Sequence, residues 1–226
     1  MPVRSLAGQA AVVTGASRGI GRAIAVHLAT RGAAVAGIAR PGPDLDSLAG
    51  AAGPDAGQLL PVAADVVSPG QVAAAFEEAM ASLGRPTLVV ACAGVAGALG
   101  PAGSADPGRW WDAVTVDLRG TMLTAQCAIR QMLPVGAGRL VTTYGNLGDR
   151  QQGNVSAFAV AKAGIARLTE SLAGDAHAVT ELIEAIASGA ADELTGRVLL
   201  AGDDLGALAR ACRRDPDHRR LRLSLD

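Results

Sequence analysis

Apolar residues along this chain fall into two patterns, short continuous runs and stretches with helical spacing. Residues 10–14 (AAVVT) form an unbroken apolar run closed by a threonine, as expected of a strand buried on both faces. The run ends in a glycine cluster. Beyond it Ile20, Ala23, Ile24, His27 and Leu28 recur at helical spacing and predict a helix over residues 20–30. Further strands are predicted at residues 33–39, 59–64, 87–91 and 139–143. Between them residues 71–83 read as a helix, residues 109–132 as one or two, and residues 156–173 as a long one. Strands that alternate with helices and carry continuous apolar runs indicate a parallel sheet covered on both faces, a doubly wound α/β fold. No repeat, linker or shift in composition interrupts the pattern, so residues 1–226 read as a single domain.

Composition narrows what such a domain can do. Half of the residues are apolar but only 2% are aromatic, so the core must be built from Ala, Val, Leu and Ile packed against glycine turns. A formal charge of -1 gives no reason to expect a nucleic-acid or anionic-membrane partner. No run of about 20 apolar residues escapes a charge or a Gly/Pro break, so no membrane span is predicted. The first residues run straight into a strand without the apolar centre of a signal peptide. Cys92, Cys127 and Cys212 are scattered without metal or redox spacing, and a reduced cytoplasmic protein without a metal site is expected. Three rarities bear on the chemistry. Lysine occurs once, at Lys162, tyrosine once, at Tyr144, and phenylalanine twice, at Phe76 and Phe158.

The glycine cluster reads Thr14-Gly15-Ala16-Ser17-Arg18-Gly19-Ile20-Gly21 and lies between the first strand and the first helix. Gly15 suits a tight turn, Gly19 a close backbone approach to a pyrophosphate, and Gly21 close packing of helix on strand. The helix N-terminus offers free N–H groups to phosphate oxygens. The position between strand and helix makes this a Rossmann-type dinucleotide loop, with Ser17, Arg18 and Ile20 among its contacts. Dinucleotide folds that choose NAD place an acid at the end of the second strand to hold the ribose 2′-OH. Here that end reads Gly37-Ile38-Ala39-Arg40, without an acid. Arg40 and Arg18 could instead pair with a 2′-phosphate, and NADP(H) is the expected cofactor.

Several further motifs accompany this loop. They are Ala64-Asp65-Val66 after the third strand, Ala91-Cys92-Ala93-Gly94 after the fourth, and Trp110 to Gly120 around Asp117. Gly138-Arg139-Leu140-Val141, Ala161-Lys162-Ala163-Gly164 and Leu194-Thr195-Gly196-Arg197-Val198 complete the set. Together they resemble the short-chain dehydrogenase/reductase family over most of the chain. The resemblance implies that Asp65, with Val66 beside it, contacts the adenine and that Ala93 and Gly94 border the cofactor. It also implies assembly as a homodimer or homotetramer through the helices holding Asp117 and Lys162.

The same resemblance implies a reaction and shows where this chain departs from it. The family moves a hydride between a nicotinamide and a carbonyl or alcohol, using a Ser, a Tyr and a Lys, usually with an Asn. The Tyr passes a proton, the Ser orients the substrate oxygen, and the Lys holds the nicotinamide ribose and lowers the Tyr pKa. Here the Tyr-x-x-x-Lys position reads Phe158-Ala159-Val160-Ala161-Lys162, the Ser position is Gly145, and the Asn position is Asp117. The second Asn of the family's NNAG turn is Cys92. Groups that would grip a cofactor are present and groups that would move a proton are absent. Tyr144 is a candidate replacement acid, although adjacent residues on a strand point to opposite faces and would turn it away. Thr143, Asn146, Ser156 and Asp117 are further candidates. Gly145, Asn146 and Phe158 are expected to line the substrate pocket. His27, His177 and His218 are isolated and carry no expected role.

A second departure follows the Lys162 helix, where the family has a strand and a Pro-Gly turn. Here Ser171 to Ala176 runs directly into His177, and neither feature is found. The tail from Arg219 to Asp226 alternates at strand period. Three functions remain open on this reading. One is an NADP(H)-binding enzyme using non-redox or substituted-acid chemistry on a small, fairly apolar molecule. Another is a non-catalytic nucleotide-binding accessory or sensor, and the third is a carbonyl reductase or alcohol dehydrogenase with relocated acid groups.

Overall fold

The computed structural model describes residues 6–144 and 154–174. The readings made for Gly145 and Asn146, for the segment after Gly174 and for the tail lie outside the described residues. Among the described residues five strands form one sheet: β1 (Ala10–Thr14), β2 (Ala34–Ala39), β3 (Leu59–Ala63), β4 (Leu88–Ala91) and β5 (Arg139–Thr142). All neighbours pair in parallel, in the order β3-β2-β1-β4-β5. Every residue of β1 is buried, as its unbroken apolar run requires at the centre of a two-faced sheet.

Alternate residues of each strand feed opposite layers. Val12, Ala36, Ile38 and Val89 pack with Phe76, Ala79, Leu123 and Met132, which come from helices α3 (Pro69–Leu83) and α5 (Gly120–Met132). Ala11, Val13, Val35 and Val90 pack on the other face with Ala25 and Ala29 of helix α1 (Gly19–Thr30), and with Leu45 and Leu48 at the short helix α2 (Pro43–Asp46). This is the doubly wound arrangement expected from the sequence. Proline in the first turns of α2 and α3 and of α4 (Pro107–Val114) pre-sets the backbone without removing a useful donor. The Asp106 carboxylate caps α4 by accepting the Arg109 N–H at 2.8 Å.

Three details differ from the predicted elements. Helix α2 is four residues long, too short to show periodicity. Residues 109–132 resolve into α4, a π-helical turn over Thr115–Arg119, and α5. The hydroxyls of Thr121 and Thr124 donate to the carbonyls of Asp117 and Gly120 beside that widened turn, at 2.6 and 2.8 Å. Strand β5 stops at Thr142, so Thr143 and Tyr144 lie beyond it and strand alternation no longer turns Tyr144 away from the site. The final described helix, α6 (Ser156–Gly174), packs on α4 and on the π turn. A hydrogen bond from Trp110 Nε1 to Ser156 Oγ at 3.0 Å ties α4 to α6.

Phe76 is the one aromatic ring in the inner layer between α3 and the sheet, and it is fully buried. Phe76→Ala should lower unfolding free energy by about 3–5 kcal/mol in urea denaturation. A loss under about 1 kcal/mol would mean that the small residues around it can close the gap.

Candidate functional site

The sheet reverses direction of growth between β1 and β4, and ligands of such sheets bind outside the strand ends at that point. Two backbones meet there with little between them. Thr14 Oγ1 accepts the N–H groups of Cys92 at 3.0 Å and Ala93 at 3.2 Å, tying the end of β1 to the turn after β4. Gly15 has φ +72°, and a Cβ there would stand 2.7 Å from the Ala93 Cα. A Cβ on Gly21 would stand 2.3 Å from the Gly15 carbonyl oxygen, so only glycine lets α1 begin against β1.

The loop between them is open to a ligand. Gly19 has φ +58° and a Cβ added there would meet nothing within 4 Å. Helix α1 starts from an extended Arg18, with no side-chain cap and no acid in its first turn. Its leading N–H groups therefore carry positive potential without an internal carboxylate to consume it. Ser17 is half-buried, whereas Arg18, Ile20 and Arg40 are exposed around this loop, Ile20 by 70%. Asp65 is half-buried and accepts the Val67 N–H at 3.1 Å through one oxygen, while Val66 is buried under it. Arg22 binds the loop to its surroundings by donating to the carbonyls of Ser17, Asp44 and Ser47 at 3.4, 2.9 and 3.1 Å.

A second group of residues gathers at the ends of β4 and β5. Lys162 on α6 reaches across so that Nζ donates to the Thr143 carbonyl at 3.2 Å. Nζ also lies 3.8 Å from Asp117 Oδ2 and 5.2 Å from the centroid of the Phe158 ring, one helical turn earlier on α6. The Lys162 side chain is 7% exposed and that of Asp117 is 0% exposed. Asp117 Oδ1 accepts the Val95 N–H at 2.7 Å, and Oδ2 has no hydrogen-bond partner among the described residues. Gly94 lies directly on this carboxylate, since a Cβ there would come within 3.2 Å of Oδ1. The π-helical turn is what aims Asp117 inward here, a device common at functional positions.

Burial dominates the electrostatics of this cluster. It raises the Asp117 carboxyl above the ordinary range, against the Val95 N–H and the Lys162 charge, which lower it. It lowers the Lys162 ammonium, against Asp117 and Cys92, which raise it. Cys92 is half-buried. Burial pushes its thiol up, opposed by a hydrogen bond with Thr143 and by Lys162.

Of the residues singled out in the sequence, the structure brings Lys162, Asp117, Phe158, Cys92, Thr143 and Gly94 together. Gly15, Gly19, Gly21, Arg18 and Ala93 gather at the neighbouring crevice. Tyr144 follows directly on Thr143 and is half-buried. Ser156 faces Trp110 through its hydroxyl. Sequence reasoning missed Thr14, the Val95 N–H and Arg22. A threonine ending a buried strand was the available signal for the first. The Val95 N–H is a backbone donor and the Arg22 guanidinium is aimed at backbone carbonyls, and no side-chain pattern reveals either. Among the described residues no group of three His, Cys, Asp or Glu could hold a metal ion, and no helix is long and apolar enough to cross a membrane.

Comparison with known proteins gives consistent relatives. Residues 9–196 match the family described as short chain dehydrogenase. The cis-4-hydroxycyclohexanecarboxylate dehydrogenase of Sinomonas cyclohexanicum is 38% identical over 188 residues, covering 83% of this chain and 75% of that protein. The D-threitol dehydrogenase of Mycolicibacterium smegmatis is 33% identical, with 75% of this chain and 65% of that protein covered. The 3-oxoacyl-(acyl-carrier-protein) reductase of Pseudomonas aeruginosa is 32% identical, with 92% and 87% covered. Among solved structures, an NAD+-bound xylitol dehydrogenase superposes with a TM-score of 0.72 at 26% identity, over 75% of this chain and 65% of that one.

The buried pair makes a direct test. Lys162→Met leaves a buried carboxylate without its cation and should cost about 3–5 kcal/mol in urea denaturation at pH 7. The Asp117→Asn, Lys162→Met double variant should regain most of that loss. Removing Lys162 pushes the folded-state Asp117 carboxyl still further above its unfolded value. The deficit of the single variant should therefore shrink as the pH falls through that raised range. A deficit equal in both variants at every pH would assign the whole effect to packing.

Proposed function

Because this chain belongs to the short chain dehydrogenase family, whose fold binds nicotinamide cofactors, we propose that it holds NADP(H) without the family's hydroxyl proton relay. It acts on a small, fairly apolar molecule by a non-redox step or with a substituted acid. The observation that carries this reading is at Phe158. Where the resemblance to the family sets a tyrosine beside the lysine, a phenyl ring lies 5.2 Å from Lys162 Nζ and has no proton to give.

The residues present fit the nucleotide. The open Gly19 corner and the uncapped start of α1 suit a pyrophosphate. The exposed guanidinium groups of Arg18 and Arg40, with no acid at the end of β2, favour a 2′-phosphate over a free 2′-OH. Lys162 spends one donor on the Thr143 carbonyl and keeps the others for ribose hydroxyls. The nicotinamide, when bound, supplies or accepts a hydride. Around it this chain's residues bind and orient, and the position from which the family's tyrosine would act holds only carbon. Trp111 on α4 and Val160 on α6 are exposed by 62% and 49%, which supports assembly as a homodimer or homotetramer through these helices.

A second reading keeps the family's redox reaction with the acid relocated to Tyr144. It is supported by the end of β5 at Thr142, which leaves Tyr144 beyond the strand and directly after the residue whose carbonyl accepts from Lys162. The relatives named above are themselves dehydrogenases and reductases.

Two measurements test the proposal. Calorimetry should show NADPH binding, weakened about 10–100-fold in Arg40→Ala, the worth of one charge-assisted hydrogen bond, with NADH affinity unchanged. Equal losses for both nucleotides would remove the 2′-phosphate assignment. Restoring the missing hydroxyls with Phe158→Tyr and Gly145→Ser should raise carbonyl reduction, followed at 340 nm, by about 10²–10⁴ over the native chain. A native chain already as active as that double variant would favour the Tyr144 reading.

A further inference from the structure

We propose that Asp117 is the counter-ion that keeps the Lys162 ammonium charged beside a ring that offers it no hydroxyl, and so sets the pH range over which the site holds a nucleotide ribose. The inference rests on the nucleotide reading given above. Asp117 is a positioning residue on this view, acting through Lys162 alone. Its carboxylate is 0% exposed and roofed by Gly94, so it cannot reach a substrate.

The geometry leaves little else for Asp117 Oδ2 to do. Its sister oxygen is occupied by the Val95 N–H at 2.7 Å. The Asp117 backbone carbonyl is taken by the Thr121 hydroxyl and by the Gly120 N–H. Oδ2 itself, buried and without a hydrogen bond among the described residues, looks across 3.8 Å to Lys162 Nζ. A carboxylate is costly to bury unless a charge compensates it, and among the described residues this lysine is the charge that faces it. Lys162 has the converse need. It sits in a buried site, receives one neutral carbonyl at 3.2 Å and the face of Phe158, and would lose its proton readily without an anion nearby.

Among the described residues, the other groups around Lys162 take a smaller part. From the end of β4, Cys92 offers a thiol that burial keeps protonated. From beyond β5, Thr143 offers a neutral carbonyl, and Tyr144 follows it. On the π turn and α4, Arg119 and Asp112 face solvent. On α6, Arg167, five residues beyond Lys162, pairs with Glu170. An ammonium binds ribose hydroxyls below its pKa and stops doing so above it. Removing the anion lowers that pKa, so the loss of binding must move to lower pH.

The chain has one lysine, so protein grown on 13C,15N-lysine gives one lysine side-chain resonance, whose titration reads Lys162 directly. In Asp117→Asn the midpoint should fall by about 1–3 pH units relative to the native chain. NADPH affinity of the variant should match the native chain at pH 6 and be about tenfold weaker or worse at pH 9. Adenosine 2′,5′-bisphosphate reaches the glycine loop and the arginines but not Lys162, so it should bind both proteins alike at both pH values. An unchanged lysine midpoint overturns the proposal, as does a shifted midpoint with unchanged NADPH affinity at pH 9. If the native chain binds neither nucleotide, the reading of function fails while the lysine titration still judges the ion pair. Should Asp117→Asn fail to fold, the native resonance decides alone. It must show a second, smaller step at acid pH as Asp117 takes up a proton, and a single step overturns the pairing.

Discussion

The whole site depends on how closely two backbones approach at the centre of the sheet. β1 and β4 are neighbours, but their chains leave the sheet toward opposite layers, opening a crevice at their ends. Nothing larger than hydrogen fits at Gly15 against the Ala93 backbone, and nothing larger fits at Gly21 against Gly15. The Thr14 hydroxyl fastens the same corner by serving two N–H groups at once. A side chain at either glycine would displace the start of α1, and with it the leading N–H groups of that helix. The glycine loop is therefore a packing requirement first and a phosphate cradle as its consequence.

A comparable constraint shapes the other half. Helix α6 must carry a long cationic side chain into a site beside β4, β5 and the turn after α4, where only 7% of it stays exposed. The π-helical turn carries Asp117 on its inner side, and the hydroxyls of Thr121 and Thr124 add donors to the carbonyls of Asp117 and Gly120 around it. Both threonines, at the start of α5, are themselves buried.

How much of this could be read from residues alone varied with its physical origin. The sheet and its covering helices were legible because continuous apolar runs report two-sided burial, and Val12, Val13, Val35 and Val89 lie where that pattern put them. The glycine loop was legible because its spacing encodes close approach. The π turn was not, since a single inserted residue leaves helical periodicity almost intact across residues 109–132. The end of β5 was misjudged by one residue, because Thr143 has strand propensity although its side chain already bonds to the Ala91 carbonyl at 3.1 Å. The meeting of Lys162 with Asp117 spans forty-five residues and depends on the docking of α6 against the π turn, a tertiary fact that no local pattern contains.

These two halves differ in what a substitution can do to them. The cofactor crevice is made of backbone, so almost any side chain added to it damages the fold. The lysine site is made of side chains, so its chemistry can change while its shape is kept. Phenylalanine for tyrosine conserves volume and aromatic contact and deletes only a hydroxyl, and aspartate for asparagine conserves shape and adds only a charge. The ring of Phe158 still lies by Lys162, and the carboxylate of Asp117 still accepts the Val95 N–H. On the proposed reading, a chain built this way can give up a hydroxyl beside its lysine without giving up its crevice, because the first change keeps the shape of the site while the second would push the backbones apart at the centre of the sheet.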